Sequence, residues 1–227
     1  MIMAAGLGSR LKDLTAERPK ALVEYRGKAL IAHVIEKLIS YGYREIVVNV
    51  HHFPGMISEW IHSSTYNADF IISEESDELL DTGGGLKEAA KYFNTWPVLV
   101  HNVDILSTLD LNSLEIFHQK NHAMTTLAVK ERETSRSLLV NNWNILCGWR
   151  NNNTGEEIIT RKEFNTRSLA FSAVYMIEKE FIHNMPDEKV FPVMPYILEL
   201  SRTKDILVFE HSWDEWTDMG KREEFGE

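Results

Sequence analysis

Met3-Ala-Ala-Gly-Leu-Gly-Ser-Arg-Leu-Lys-Asp-Leu-Thr-Ala-Glu-Arg-Pro-Lys-Ala-Leu22 is the stretch on which the reading of this chain turns. A short apolar start runs into a loop with glycines at 6 and 8, and the loop carries Arg10 and closes on Pro19-Lys20. Gly6 and Gly8 have no Cβ to hold a ligand away, so the backbone N–H groups from Ala5 through Ser9 and Arg10 can line a chain of phosphates. Arg10 and Lys20 supply charge of the right sign beside it. The same residues also describe an ordinary strand-to-helix turn with surface charges, and glycine spacing alone leaves both readings open. Two familiar phosphate loops are excluded. A dinucleotide fingerprint needs a third glycine where Leu11 stands, and no Gly-Lys-Ser/Thr string follows four spacer residues.

The 227 residues, 44% of them hydrophobic, suffice for one sizeable domain or at most two small ones. A net charge of -10 disfavours a general nucleic-acid surface. Its distribution says more, because residues 1–28 hold six Lys/Arg against three Asp/Glu and leave the remainder strongly acidic. A basic opening segment in an acidic protein suits an anionic small molecule held locally, with chance clustering on a solvated face as the alternative. Cys147 is the only cysteine, which excludes an internal disulfide framework and a cysteine-based zinc site. No apolar run approaches the roughly 18 residues needed to cross a bilayer, and the first residues lack the layout of a signal peptide. A cytoplasmic protein with no membrane or nucleic-acid partner is the expectation.

Apolar runs of strand length alternate with helix-period segments through the first half. Residues 28–41 place Leu30, Ile31, Val34, Ile35, Leu38 and Ile39 on one helical stripe, with Gly42 as its stop. Strands are predicted at 45–50, 69–73 and 97–101, and helices at 54–62 and 85–93. Strands separated by single helices imply right-handed βαβ units, hence an α/β fold with a Rossmann-like, doubly wound, mostly parallel mixed sheet. In the second half, 124–130, 137–140, 169–177 and 206–210 read as strands, 141–154 as an exposed hairpin or loop, and 191–202 as an amphipathic helix. With no repeat, low-complexity tract or Gly/Ser-rich linker, residues 1–227 read as a single domain. Only Met1–Ala5 precede the glycine loop, which is short for a central strand, so a few residues are expected upstream.

Three further strings carry chemistry. His101-Asn102-Val103-Asp104 ends a strand, and ligands of open α/β sheets sit outside the carboxyl ends of the strands, which aims Asp104 at the crevice of the Gly6–Arg10 loop. A carboxylate beside a triphosphate is a natural Mg²⁺ ligand, since magnesium takes one or two carboxylates plus phosphate oxygens. Trp216-Thr217-Asp218-Met219-Gly220 offers a second aspartate, and an N-cap is its bland alternative. Asp81-Thr82-Gly83-Gly84-Gly85 puts three glycines ahead of a helix, either as a tight turn or for close approach of backbone to a nucleobase and ribose. His118 and His122 read as surface residues, and His51-His52 as turn residues whose role stays open.

Met3–Leu11 followed by Leu14-Thr15 and Pro19-Lys20-Ala-Leu22 resembles the signature of the sugar-1-phosphate nucleotidyltransferases, with Asp13 where that family has proline. Asp81-Thr-Gly-Gly-Gly resembles the matching segment of uridylyltransferases acting on N-acetylmuramic acid 1-phosphate and of mannose-1-phosphate guanylyltransferases. Phe171-Ser172-Ala173 is similar to the family's Phe-Ser-Gly strand at the sugar, with alanine replacing glycine. The resemblance implies a stand-alone catalytic domain, without an appended β-helix, that joins NTP and a sugar 1-phosphate to give NDP-sugar and pyrophosphate. It implies roles for Arg10 on the β/γ-phosphates, Lys20 near the α-phosphate, and Asp104 with Asp218 on Mg²⁺. Gly6, Gly8, Gly83 and Gly84, with Ala5 and Ser9, would shape the nucleotide pocket, and Ser172 would face the sugar. The alternatives are a guanylyltransferase for mannose or heptose 1-phosphate, a more distant phosphocholine cytidylyltransferase, and a silent nucleotide-sugar sensor. The expected assembly is a monomer or homodimer.

Overall fold

Glu45–Val50 shows why a sheet forms here. Five of its six residues are buried, so both faces of the strand are covered, as in the interior of a parallel sheet. The computed structural model describes residues 1–75 and 78–225. In chain order its elements are β1 (Ile2–Met3), β2 (Glu24–Tyr25), β3 (Lys28–Ala29), α1 (Leu30–Ser40), β4 (Glu45–Val50), α2 (Pro54–Ser63), β5 (Asp69–Glu74) and α3 (Asp81–Ala89). There follow β6 (Val98–Asn102), β7 (Ile105–Ser107), α4 (Leu111–Lys120), β8 (Thr125–Lys130), β9 (Arg136–Val140), β10 (Leu146–Asn151) and β11 (Glu157–Ile159). The chain ends with β12 (Arg167–Ile177), α5 (Lys179–His183), α6 (Val193–Leu200), β13 (Leu207–Glu210) and β14 (Trp216–Asp218).

The main sheet is mixed. β6, β1, β4 and β5 lie side by side and parallel, and β12 joins the β6 edge antiparallel. Beyond β12 come β9, β10 and β11, while β8 also pairs with β12 and carries β13 in parallel on its outer side. Strand alternation divides the core between two layers. Ile2, Ile46, Val48 and Val50 meet Ile31, Ile35 and Leu38 of α1 and Ile57 of α2 on one face. Met3, Val47 and Val100 meet Leu86 of α3, Phe181 of α5 and Ile197 of α6 on the other. This is the doubly wound arrangement that the alternating pattern predicts.

The second half adds β11, α5 and β14, which the pattern does not predict. Residues 141–154, expected as an exposed hairpin or loop, contain β10 (Leu146–Asn151), which pairs with β9 and β11. Its first three residues are buried by neighbouring side chains that no local pattern announces. Helix α3 also starts four residues earlier than predicted, at Asp81, so that all three consecutive glycines lie inside it. Among the described residues no helix is long and apolar enough to cross a membrane.

Candidate active site

The glycine loop leaves β1 at its carboxyl end and turns back on itself. Gly8 adopts φ 67°, and a side chain there would also press on Thr15 and Lys20, so this position requires glycine. Thr15 Oγ1 closes the turn by donating to the carbonyls of Gly8 and Lys12, both at 3.1 Å. Ala4 N–H donates to Asn49 Oδ1 at 2.7 Å, which ties the end of β1 to β4. Gly6, Ser9 and Arg10 remain exposed along the loop, with Ala5 buried at its root. Leu11 is buried in a small cluster with Val23, Leu30 and Met219, so one apolar plug joins the loop to the segment that follows β14.

Lys20 and Asp104 are brought together at 2.6 Å, with both side chains largely buried. Arg10 Nη1 reaches Asp218 Oδ2 at 3.4 Å. Pairing of β7 with β14 lays Asp218 beside Ile105, and Met219 N–H donates to Asp104 O at 2.8 Å. Gly220 shows how closely the groups converge. A Cβ on it would lie 2.5 Å from Arg10 Nη2, 2.8 Å from Asp218 Oδ1 and 2.9 Å from Asp104 Oδ2. Two carboxylates, one from mid-chain and one from near the C-terminus, thus face one small space, each balanced by a cation.

Two expected site features have protein partners for their hydrogen-bonding groups. The amides of Gly83 and Gly84 both donate to Phe191 O, at 2.9 and 3.2 Å, so neither is left to offer a ligand. A Cβ on Gly83 would overlap Phe191, and one on Gly84 would overlap the Lys189 carbonyl, so these glycines admit the segment leading into α6. Ser172 does not face a sugar through its hydroxyl either. That group is fully buried and shares a 2.7 Å hydrogen bond with His211 Nε2, while its carbonyl accepts from Trp216 Nε1 at 3.1 Å. Burial pushes His211 down to about 4, against the pull of Asp214 Oδ2 3.5 Å from its Nδ1. Ala173 takes φ 56° at a bulge of β12, where a glycine would sit without strain.

The histidines divide. His51 Nδ1 donates to Glu75 O at 2.6 Å and His52 stacks on Phe53, so both serve the turn after β4. His118 is not a surface residue: it is completely buried, bonded to Thr126 Oγ1 at 2.9 Å, and pushed down to about 4 by burial. His101 is likewise pushed down to about 4 and holds Asn102 O at 2.8 Å just ahead of Asp104. Sequence reasoning missed Arg132, whose guanidinium lies 3.8 Å above the Trp216 ring. It sits in a mixed-charge run after β8, and nothing local distinguishes it from its neighbours.

A parallel sheet with a charged crevice at the carboxyl ends of its strands is the framework of many nucleotide-handling α/β proteins. This chain belongs to the nucleotidyl transferase family, whose model matches residues 1–137. It is 41% identical over 107 residues to N-acetylmuramate alpha-1-phosphate uridylyltransferase of Caulobacter vibrioides, covering 46% of this chain and 44% of that one. It is 34% identical over 141 residues to mannose-1-phosphate guanyltransferase of Yarrowia lipolytica, covering 60% and 39%. The matched stretch therefore spans less than half the length of these curated relatives. In fold, the chain superimposes on HddC from Yersinia pseudotuberculosis complexed with GMP-PN, with a TM-score of 0.77, 22% identity and coverage of 99% and 95%.

Proposed function

We propose that this chain is a single-domain sugar-1-phosphate nucleotidyltransferase. The observation that carries the reading is the convergence of Arg10, Lys20, Asp104 and Asp218 around Gly220, at the end of the glycine loop. A phosphate oxygen of the sugar 1-phosphate attacks the NTP α-phosphorus in line. The α–β bridging P–O bond breaks and pyrophosphate leaves with its electron pair. Both reactants are polyanions, so repulsion and positioning dominate the barrier, and no covalent nucleophile is needed.

Each residue has a role that its position supports. The exposed amides around Gly6 and Ser9 bind the phosphate chain, and Arg10 takes the departing β/γ-phosphates. Lys20 exchanges Asp104 for the α-phosphate and neutralises the charge that grows there. Asp104 and Asp218 would hold Mg²⁺, an ion that commonly takes only one or two protein carboxylates, which suits their approach to one small space. Bound there, it would supply Lewis-acid polarisation and charge neutralisation. The favoured pair is UTP with an amino-sugar 1-phosphate such as N-acetylmuramic acid 1-phosphate, supported by the 41% identity to a uridylyltransferase. A guanylyltransferase on mannose or heptose 1-phosphate is the second reading, favoured by the longer stretch matched in the guanyltransferase. A silent sensor is disfavoured because both cation–carboxylate pairs are present together. The chain would act in the cytoplasm, as a monomer or homodimer.

The test is a matrix of four NTPs against several sugar 1-phosphates with Mg²⁺, read as pyrophosphate release. Turnover with UTP and N-acetylmuramic acid 1-phosphate is expected. Turnover only with GTP and mannose 1-phosphate would promote the second reading, and silence from folded protein would overturn the enzyme altogether.

A further inference from the structure

Arg132 is held in a way that surface arginines are not. Its guanidinium stacks 3.8 Å over the Trp216 indole. Its Nη groups donate to two backbone carbonyls, Phe171 O at 3.1 Å and Glu133 O at 3.3 Å, and its Nε–H is buried with no partner. Among the described residues no carboxylate lies within ion-pair distance of it, and Asp218 is the acid whose charge acts on it from further away. A guanidinium stays ionised under all ordinary conditions, so this is a positive charge fixed in place without an ion-pair partner among the described residues.

Its position follows from the topology. β8 is antiparallel to β12, which is antiparallel to β6, so β8 runs in the direction of β6 and ends at the same edge of the sheet as Asp104. Trp216 and Asp218 are two residues apart on β14 and so point from one face of it, roughly 7 Å apart. A side chain stacked on Trp216 is therefore a neighbour of the Asp218 carboxylate. Arg10 meets that carboxylate from the β1 side, with the glycine loop. Arg132 approaches from the β8–β12 side, where no phosphate loop exists. Asp218 thus stands between two arginines, one on each side of the crevice.

We infer that Arg132 binds the phosphate of the sugar 1-phosphate, while Arg10 serves the NTP. The inference rests on the nucleotidyltransferase reading and adds which residue receives the second substrate. The indole and the two carbonyls fix the guanidinium plane, and each Nη keeps a second N–H to donate to a phosphate oxygen. Holding the attacking phosphate from the β8 side also sets it across the α-phosphorus from the pyrophosphate that Arg10 draws away, which is the line of attack the reaction needs. Lysine would keep the charge but lose the stack and the fork.

The experiment is steady-state kinetics on wild type, Arg132→Met, Arg132→Lys and Arg10→Met, with the substrate pair that wild type turns over. For Arg132→Met the KM for sugar 1-phosphate should rise by about 10- to 100-fold, with the KM for NTP within about twofold of wild type. Arg132→Lys should fall between, and Arg10→Met should show the opposite split. Inorganic phosphate should compete with the sugar 1-phosphate in wild type and lose that competition in Arg132→Met. An unchanged sugar-phosphate KM in an active Arg132→Met enzyme, or an equal rise for both substrates in the folded Arg132→Lys enzyme, overturns the inference alone. A wild-type protein that turns over no pair overturns the function itself.

Discussion

The two sides of the crevice are built by different means. On the β1 side a contiguous loop brings its own glycines, its own arginine and Lys20, and its distant partners include Asn49, Asp104, Asp218 and Met219. On the β12 side Arg132, Phe171 and the stretch from His211 to Trp216 come from three separated segments, linked through the Trp216 ring and the Phe171–Ser172 backbone and side chain. Arg10 is 60% exposed at the side chain, whereas Arg132 is clamped between an indole and backbone carbonyls. A loop that carries its own determinants is adaptable but legible; a wall assembled from distant pieces is rigid and silent in sequence.

The largest effect should come from the carboxylate that faces Asp218 across the small space at Gly220. Asp104→Asn is expected to lower turnover on the order of 10³-fold while the far-UV spectrum stays that of the wild type, measured as pyrophosphate release. Near-normal turnover would mean that the pair of carboxylates does not work as a unit. Gly220→Ala comes next, because the new methyl group pushes Arg10, Asp218 and Asp104 apart at once. A loss of about 10²-fold is expected from displacement of this size, with the KM values for both substrates raised. An effect on one substrate only would mean that the two sides act independently.

Acid should weaken the chain through its interior. His101, His118 and His211 are each pushed down to about 4 by burial, so between roughly pH 6.5 and 4 the unfolded chain binds protons that the folded chain refuses. Stability holds above that window and is lost as the pH falls through it, by up to about 1.4 kcal/mol per pH unit for each histidine. A denaturation midpoint that does not move between pH 7 and pH 5 would refute this. The smallest effect belongs to the β12 wall. Ala173→Gly relieves a left-handed alanine and should stabilise the protein by about 0.5–1 kcal/mol in chemical denaturation, whereas a loss would show that the methyl group packs usefully.

Sequence made the β1 side readable for a physical reason. Val47, Val48 and Val50 form a run that only a sheet covered on both faces would bury, and Gly8 sits where its left-handed φ needs it. Residues 81–85 misled because three glycines weaken an isolated helix, so a start at Gly85 was the local expectation. The reasons for them lie outside the segment: Phe191 occupies the side-chain space at Gly83, the Lys189 carbonyl that at Gly84, and Glu75 with Asn49 that at Gly85. His118 was unreadable in the same way, since its partner Thr126 and its cover come from the next strand. Ser172 lies at the bulge of β12, and its buried hydroxyl is taken by His211, a partner nearly forty residues away that no local pattern announces.

The plug formed by Leu11, Val23, Leu30 and Met219 has a dynamic meaning. For the glycine loop to swing outward, Leu11 must leave a pocket that Met219 also fills, and Met219 is bound through its amide to the carbonyl of Asp104. Opening the loop therefore disturbs both aspartate-bearing segments together. Local opening of this kind occurs in cooperative units. Amide exchange at Leu11 and Met219 should then share one protection factor, and product release would proceed by a single hinge-like loosening of the crevice rather than by a flap that lifts while the rest stays still.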